Sequence, residues 1–256
     1  MMMKKIPEIN RARGYYLYTS DGKRYLDMVL DRGRLIMGHR QKGYGQAMKN
    51  VIDKGIIPGF PSPYAHRLKQ VVKRLLGGEC FVYLFKSEEY AKAALTAQGV
   101  EYAMWRPFGL NAGDLINDPI IPVLPVPFAF APGVVVSKSE LKLADEPVSP
   151  VILAGAVRAV CNLIAFQKEA DYSGWEKAGL SETCAGTSAA GTSRWRVELP
   201  YIYPLCTREQ YSAVWDTFFE AGIILSYDYD KPSVLPPYSE LSDGSRKKLL
   251  KLFSEC

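Results

Sequence analysis

Arg13-Gly14-Tyr15-Tyr16-Leu17-Tyr18-Thr19-Ser20-Asp21-Gly22-Lys23-Arg24-Tyr25-Leu26-Asp27-Met28-Val29-Leu30 holds two β-rich runs, Tyr15–Tyr18 and Lys23–Leu30, on either side of Ser20-Asp21-Gly22. Tyrosines and branched aliphatics suit a pleated, half-buried surface. Asp-Gly supplies the positive φ that a tight primed hairpin turn requires. Gly38-His39 and the glycines Gly43 and Gly45 follow. Gln46–Lys54 then reads as one short amphipathic helix closed by Gly55.

Downstream, Pro58–Pro63 is a Pro-rich loop carrying Phe60, and Tyr64–Leu76 has apolar residues at helical spacing before Gly77-Gly78. Cys80–Phe85 is a short apolar strand. Ser87–Gln98 is an Ala-rich helix with Ser87 at the N-cap and Glu88-Glu89 in the first turn, where the helix dipole favours acids. Trp105-Arg106-Pro107 interrupts the mixed segment from Glu101 to Ile116. The five prolines between Asp118 and Pro132 argue against a central strand or a helix there. Val134–Val136 is a strand, and Lys138–Glu146 reads as a charged, exposed linker. Ser149-Pro150 is an N-cap and N1 pair for the apolar helix Val151–Gln167. Gly186–Gly191 lacks the lysine of a phosphate-binding loop and reads as a plain loop. Arg194–Leu205 is a strand pair or one long strand. Arg208–Ala221 is a helix whose aromatic stripe is core, and Ile223–Tyr229 is a strand. Ser242–Ser245 starts the last helix.

Composition excludes several classes of function. The 256 residues are 48% hydrophobic and 23% charged, which fits one or two globular domains. No apolar run has the length of a bilayer span, no secretory leader is legible, and the chain reads as having no membrane partner. Cys80, Cys161, Cys184, Cys206 and Cys256 are scattered, which reads as reduced thiols of a cytoplasmic protein, not a disulfide frame or a zinc site. With two histidines, His39 and His66, no metal site is expected. The net charge of +5 comes from interleaved basic and acidic residues without a dense basic stripe, so nucleic acid is not expected as a partner. No Gly-x-Ser-x-Gly or His-Glu-x-x-His motif is present.

The order of the opening hairpin, Gly38-His39, Ala47 and Lys54-Gly55 resembles the N-terminal segment of class III pyridoxal-phosphate-dependent aminotransferases, in the fold-type I superfamily. Three further stretches resemble the same family. Phe85-Lys86-Ser87-Glu88-Glu89-Tyr90-Ala91-Lys92-Ala93-Ala94-Leu95 is similar to the strand and helix that cradle the cofactor phosphate, with Glu89 and Ala93-Ala94-Leu95 matching. Ser149–Ile164 and Ala221–Phe253 are similar to the helix entering the C-terminal small domain and to that domain's end. The resemblance implies an α/β, fold-type I aminotransferase-like fold, with a reduced central sheet and an α+β small domain. It implies an N-terminal segment plus shrunken large domain over residues 1–148, and a small domain over 149–256. It also implies a homodimer.

The departures fall on the chemistry. Ser87 stands in place of the family's phosphate-cup glycine and Glu88 in place of its hydroxyl donor. Ser233 stands where many members carry an arginine for the substrate carboxylate. Only residues 99–148 lie where the family has most of its large domain, which would hold the Schiff-base lysine and the acid opposite the pyridine nitrogen. Lys138 and Lys177 are the two candidates for a replacement lysine. The sequence therefore points to an aminotransferase-like protein without catalysis and without a standard cofactor site, binding a small ligand or a partner. The alternatives are a minimal pyridoxal-phosphate enzyme using Lys138 or Lys177, and a dimeric interaction module. A surviving ligand cleft is expected near Tyr15, Arg34, His39, Ser87 and Tyr203.

Overall fold

The computed structural model describes residues 6–109, 118–180, 185–187 and 193–255. The chain divides into two compact units, Met1–Arg40 with Glu169–Cys256, and Gln41–Lys168. The division expected at 148/149 is corrected on two counts: the opening hairpin pairs with a C-terminal strand, and the long apolar helix packs in the middle unit.

In the first unit, β1 (Ile9–Arg13), β2 (Tyr16–Thr19) and β3 (Arg24–Asp27) form an antiparallel meander. The Thr19 N–H donates to Lys23 O at 3.0 Å, and Gly22 is the turn residue with positive φ, +82°. The connection is thus a three-residue loop with a left-handed glycine, not the primed turn expected. After β3, Leu30, Asp31, Arg32 and Gly33 all have positive φ, +44°, +51°, +62° and +82°. Such a left-handed turn costs roughly 1–2 kcal/mol per non-glycine residue and needs surroundings that hold it.

The second unit contains α1 (Tyr44–Ile52), α2 (Pro63–Leu76), β4 (Phe81–Phe85), α3 (Glu88–Ala97), β5 (Ala103–Trp105), β6 (Ile120–Pro122), β7 (Gly133–Ser137) and α4 (Pro150–Glu169). Its sheet has the order β4-β7-β6-β5, with β5 and β6 parallel and the other pairs antiparallel. Alternation along the strands sorts the core into two layers. Val82, Leu84, Val134 and Val136 meet Leu68 and Val72 of α2 and Leu153, Ala156 and Val160 of α4. Tyr83, Phe85, Ile121 and Val135 meet Ala91 and Leu95 of α3 on the other face. A sheet covered by helices on both faces is the α/β architecture expected.

Three expectations for this unit are corrected. β6 is an interior strand despite its prolines. Pro119 precedes it and Pro122 ends it, so the missing N–H groups fall at its margins, while the Pro119 carbonyl accepts from the Ala103 N–H at 3.1 Å. Lys138–Glu146 is no linker: Leu141 and Leu143 pack under the sheet, and the Tyr83 hydroxyl donates to Leu141 O at 3.1 Å. The stretch Pro150–Lys177 does have the length and apolarity of a membrane span, contrary to the sequence reading. Half of its apolar window is buried, and Leu153, Ala156, Ala159 and Val160 lie in the core.

The chain then returns to the first unit with α5 (Ser173–Lys177), β8 (Ala185–Thr187), β9 (Ser193–Glu198), β10 (Tyr201–Pro204), α6 (Arg208–Glu220), β11 (Ile223–Ile224), β12 (Ser233–Val234) and α7 (Asp243–Glu255). The strand expected over Ile223–Tyr229 is only two residues long, and residues 188–191 of the small-residue loop lie outside the described residues. β11 adds to β3 in parallel register, and the Met28 N–H donates to Ile224 O at 2.9 Å. A second sheet has the order β12-β10-β9-β8. The α6 stripe is core, as read: Tyr211, Val214, Trp215 and Phe218 are buried. The buried polar ends are satisfied, Trp215 Nε1 by Leu225 O at 3.0 Å and Tyr211 Oη by Ser226 O at 2.6 Å.

Candidate functional site

The junction of β4 and α3 is where the sequence places a remnant phosphate cup. Ser87 is extended (φ −151°, ψ 172°) and begins α3, but its side chain does not cap the helix. Its Oγ donates to Glu89 Oε2 at 2.6 Å. Glu88 Oε1 pairs with Lys92 Nζ at 2.5 Å, one turn along, with the glutamate 12% exposed. A third carboxylate arrives from Glu146: its Oε2 accepts the Lys86 N–H at 3.0 Å, and its own N–H donates to Leu84 O at 2.8 Å. Asp145 Oδ1 accepts the Leu84 N–H at 2.9 Å. Room is also short, because a Cβ on Gly133 of β7 would stand 2.0 Å from the Ser87 carbonyl oxygen.

A phosphate dianion at a helix start wants free N–H groups and positive potential. Here side-chain carboxylates hold that ground, and one takes a backbone N–H. Like charges about 4 Å apart cost on the order of 4 kcal/mol at an effective dielectric near 20. The residues at this junction do not fit a cofactor phosphate.

A second polar centre lies in the first unit, and it brings together two of the expected cleft residues, Tyr15 and His39. They meet through Asp27, which the sequence reading passed over although it ends the Tyr-Leu-Asp run. Asp27 is 4% exposed. Its Oδ2 lies 2.9 Å from His39 Nε2, and its Oδ1 accepts the N–H groups of Val29 at 2.8 Å and Leu30 at 3.2 Å. The Asp27 N–H donates to Tyr15 O at 2.8 Å, and the Tyr15 hydroxyl donates to Ile36 O at 3.0 Å. Gly38 (φ +79°) brings His39 in, since a Cβ there would meet Gly14 O at 2.7 Å. The His39 N–H then donates to Gly14 O at 2.6 Å. Burial, reinforced by the charge of Glu240, pushes the Tyr15 hydroxyl far above its ordinary range. The Asp27 carboxylate accepts the N–H groups of Val29 and Leu30 at the entry to the left-handed turn, which makes this centre a structural clasp.

The other candidates are not joined to either centre. Arg34 is buried just after the left-handed turn, where its N–H donates to Asp31 O at 3.3 Å. Tyr203 on β10 stacks under the Arg196 guanidinium, 4.3 Å from the ring centre. Lys138 is exposed, its N–H held by Asp118 Oδ1 at 2.9 Å. Lys177 is exposed on α5, where its charge helps hold the Asp171 carboxyl below the usual range, behind the bonds from Ser173. Ser233, at the position of the family's carboxylate-binding arginine, is buried and accepts the Ser226 N–H at 2.9 Å.

No family model matches the chain. It is 25% identical over 246 residues to an uncharacterized protein of Borreliella burgdorferi, covering 92% of this chain and 86% of that protein. It is 39% identical over 64 residues to the glutamate-1-semialdehyde 2,1-aminomutase of Heliobacterium modesticaldum, a match that covers 25% of this chain and 15% of the aminomutase. Among solved structures, ornithine δ-aminotransferase of Plasmodium falciparum superposes with a TM-score of 0.68 at 12% identity, covering 96% of this chain and 92% of that one. The ornithine aminotransferase of Toxoplasma gondii, described with pyridoxal phosphate at partial occupancy in its active site, superposes with a TM-score of 0.65 at 9% identity, covering 97% and 89%. The fold is therefore that of the class III aminotransferases, built here on a small mixed α/β scaffold.

Proposed function

We propose that this chain is an aminotransferase-fold protein that does not run pyridoxal-phosphate chemistry and works by binding. One observation carries the reading: Glu88, Glu89 and Glu146 crowd the β4–α3 junction, where a cofactor phosphate would need positive potential. The exposure of Lys138 and Lys177 supports it, because an anchor lysine needs a desolvated, acid-flanked setting to react as a neutral amine. So does the buried Ser233, which leaves no cation at that position for a substrate carboxylate.

The test is an absorbance scan of the purified chain with added pyridoxal phosphate, followed by borohydride reduction and peptide mapping. The expected result is no reduced adduct at stoichiometric level on any lysine. A single labelled peptide containing Lys138 or Lys177, with transamination of an amino-acid library, would establish the competing reading of a minimal enzyme.

A second reading, self-association, rests on apolar side chains left at the surface of the middle unit. Ile52, Ile57 and Phe60 are 48%, 53% and 63% exposed within nine residues of chain. Covering such side chains is a common reason for homodimers. Light scattering is expected to give twice the chain mass, and a monomer at micromolar concentration would end that reading.

A further inference from the structure

A cavity of about 360 Å³ opens in the first unit, at the lower end of the range for small-molecule sites. Three segments build it. β2 and β3 give Tyr16, Arg24 and Leu26, the turn after α6 gives Ala221, Gly222 and Ile223, and the first turns of α7 give Ser242, Gly244, Ser245 and Lys248. The sequence explains the convergence. Gly222 at φ +81° turns the chain from α6 into β11, and Leu26 N–H donates to Gly222 O at 2.8 Å, which seats β3 beside that turn. Leu26 and Ile223 supply buried apolar lining.

The polar lining has one sign. Arg24 and Lys248 both line the cavity, and neither has an ion pair among the described residues. The Arg24 guanidinium lies over the Tyr16 ring, 4.5 Å from its centre, and Lys248 Nζ donates to Ala221 O at 3.0 Å. Both side chains are exposed, and neither contact neutralises its cation. Three hydroxyls form a chain: Tyr16 Oη is 3.2 Å from Ser245 Oγ, which is 3.0 Å from Ser242 Oγ. No carboxylate lines the cavity. The nearby Asp243 is paired with Arg246, outside the lining. The start of α7, thirteen residues long, adds its dipole to the same side.

We propose that this cavity binds a small molecule through an oxyanion, a phosphate monoester or a carboxylate, with Arg24 and Lys248 as counter-charges and the hydroxyl chain donating the one proton that its two internal bonds leave free. Two exposed cations beside hydroxyls, with no acid in the lining, give the mouth of the cavity a positive potential. An oxyanion supplies the opposite charge and accepts the free hydroxyl proton.

The test is calorimetric titration of the full chain at low ionic strength with inorganic phosphate and, separately, with glutarate, against sodium chloride at matched ionic strength. One oxyanion is expected to saturate at one site per chain. Phosphate binding alone assigns the phosphate class, and glutarate binding alone assigns the carboxylate class. Arg24→Gln and Lys248→Gln are each expected to weaken binding about tenfold, the size of one charge-assisted hydrogen bond. Gly244→Asp guards against a folding artefact. A Cβ there meets nothing within 4 Å, and an acid in a first turn suits the helix, so this variant keeps its fold while losing the anion. Equal heats from chloride, or unchanged affinity in Lys248→Gln and Gly244→Asp, would overturn the proposal.

Discussion

Helices α3 and α7 both follow a serine and both carry a first-turn acid paired one turn along, Glu88 with Lys92 and Asp243 with Arg246, but they differ in what surrounds them. Each has the partial positive charge of a helix start, which at α7 is partly met by Ser242 Oγ accepting the Ser245 N–H at 3.3 Å, while Ser87 does not cap α3. At α3 that charge is met from within the chain, by Glu88 and Glu89 in the first turn and by Glu146 reaching the preceding strand. At α7 it faces a cavity to which Arg24 and Lys248 add positive charge. Space differs in the same sense: Gly133 presses its backbone onto Ser87, whereas Gly244 looks into open space. Anion binding at a helix start is thus decided by side-chain charge and room, because the dipole is common to both. One fold here carries a helix start ringed by carboxylates and, on a different helix, a cavity lined by two cations.

The largest break in this comparison comes from Gly133→Ala. The new methyl would sit 2.0 Å from Ser87 O, a backbone atom that a rotamer change cannot move. Relieving the clash displaces β7, whose Val134, Val135 and Val136 are buried in the sheet core, or the start of α3 together with the buried Ala91 behind it. A loss of about 3 kcal/mol is expected, at the upper end for overpacking, read as a fall in the urea midpoint at constant m-value. A loss under 1 kcal/mol would show that the junction has room after all and reopen it to a phosphate.

The next effect, in the first unit, is Asp27→Ala. It removes the acceptor of two backbone N–H groups and of His39 beneath a turn of four positive-φ residues. Leaving buried donors unpaired costs about 2 kcal/mol. Loss of the turn should also raise amide exchange at Val29 and Leu30. Unchanged exchange there would mean the left-handed turn is held by something other than the clasp.

Asp27 shows where the sequence stopped being legible. The hairpin, α2, α3 and α4 were readable because their signals are local: apolar spacing, a serine at the start, a glycine at the end. His39 was singled out, but its partner lies twelve residues upstream, across a turn whose left-handed backbone no residue pattern announces. β6 was misread because proline was taken to forbid an interior strand, when its positions at the strand margins permit one. The boundary of the units was misplaced because the parallel pairing of Leu26 with Ile223 spans nearly the whole chain, and no local pattern encodes it. Asp145 and Glu146 were read as surface charge, and their bonds to the β4 backbone depend on the same kind of distant pairing. Glu88 was legible as an acid at the start of α3 because its position in the first turn is a local signal. The cavity beside α7 was invisible, since its two cations, Arg24 and Lys248, belong to opposite ends of the chain.

The smallest effect is the mirror of the first. Gly244→Ala adds the same methyl to the other helix start, where nothing stands within 4 Å. Alanine loses less backbone freedom than glycine on entering a helix, and Gly244 has no positive φ to forbid the change. The full interior benefit is about 1 kcal/mol, and a first-turn position should return about half of it as added stability. One substitution should therefore destabilise at Gly133 and stabilise at Gly244, measured on the same denaturation curves. A destabilising Gly244→Ala would mean that the first turn of α7 is already packed against something. The cavity, and the room for an anion beside Arg24 and Lys248, would then be lost together.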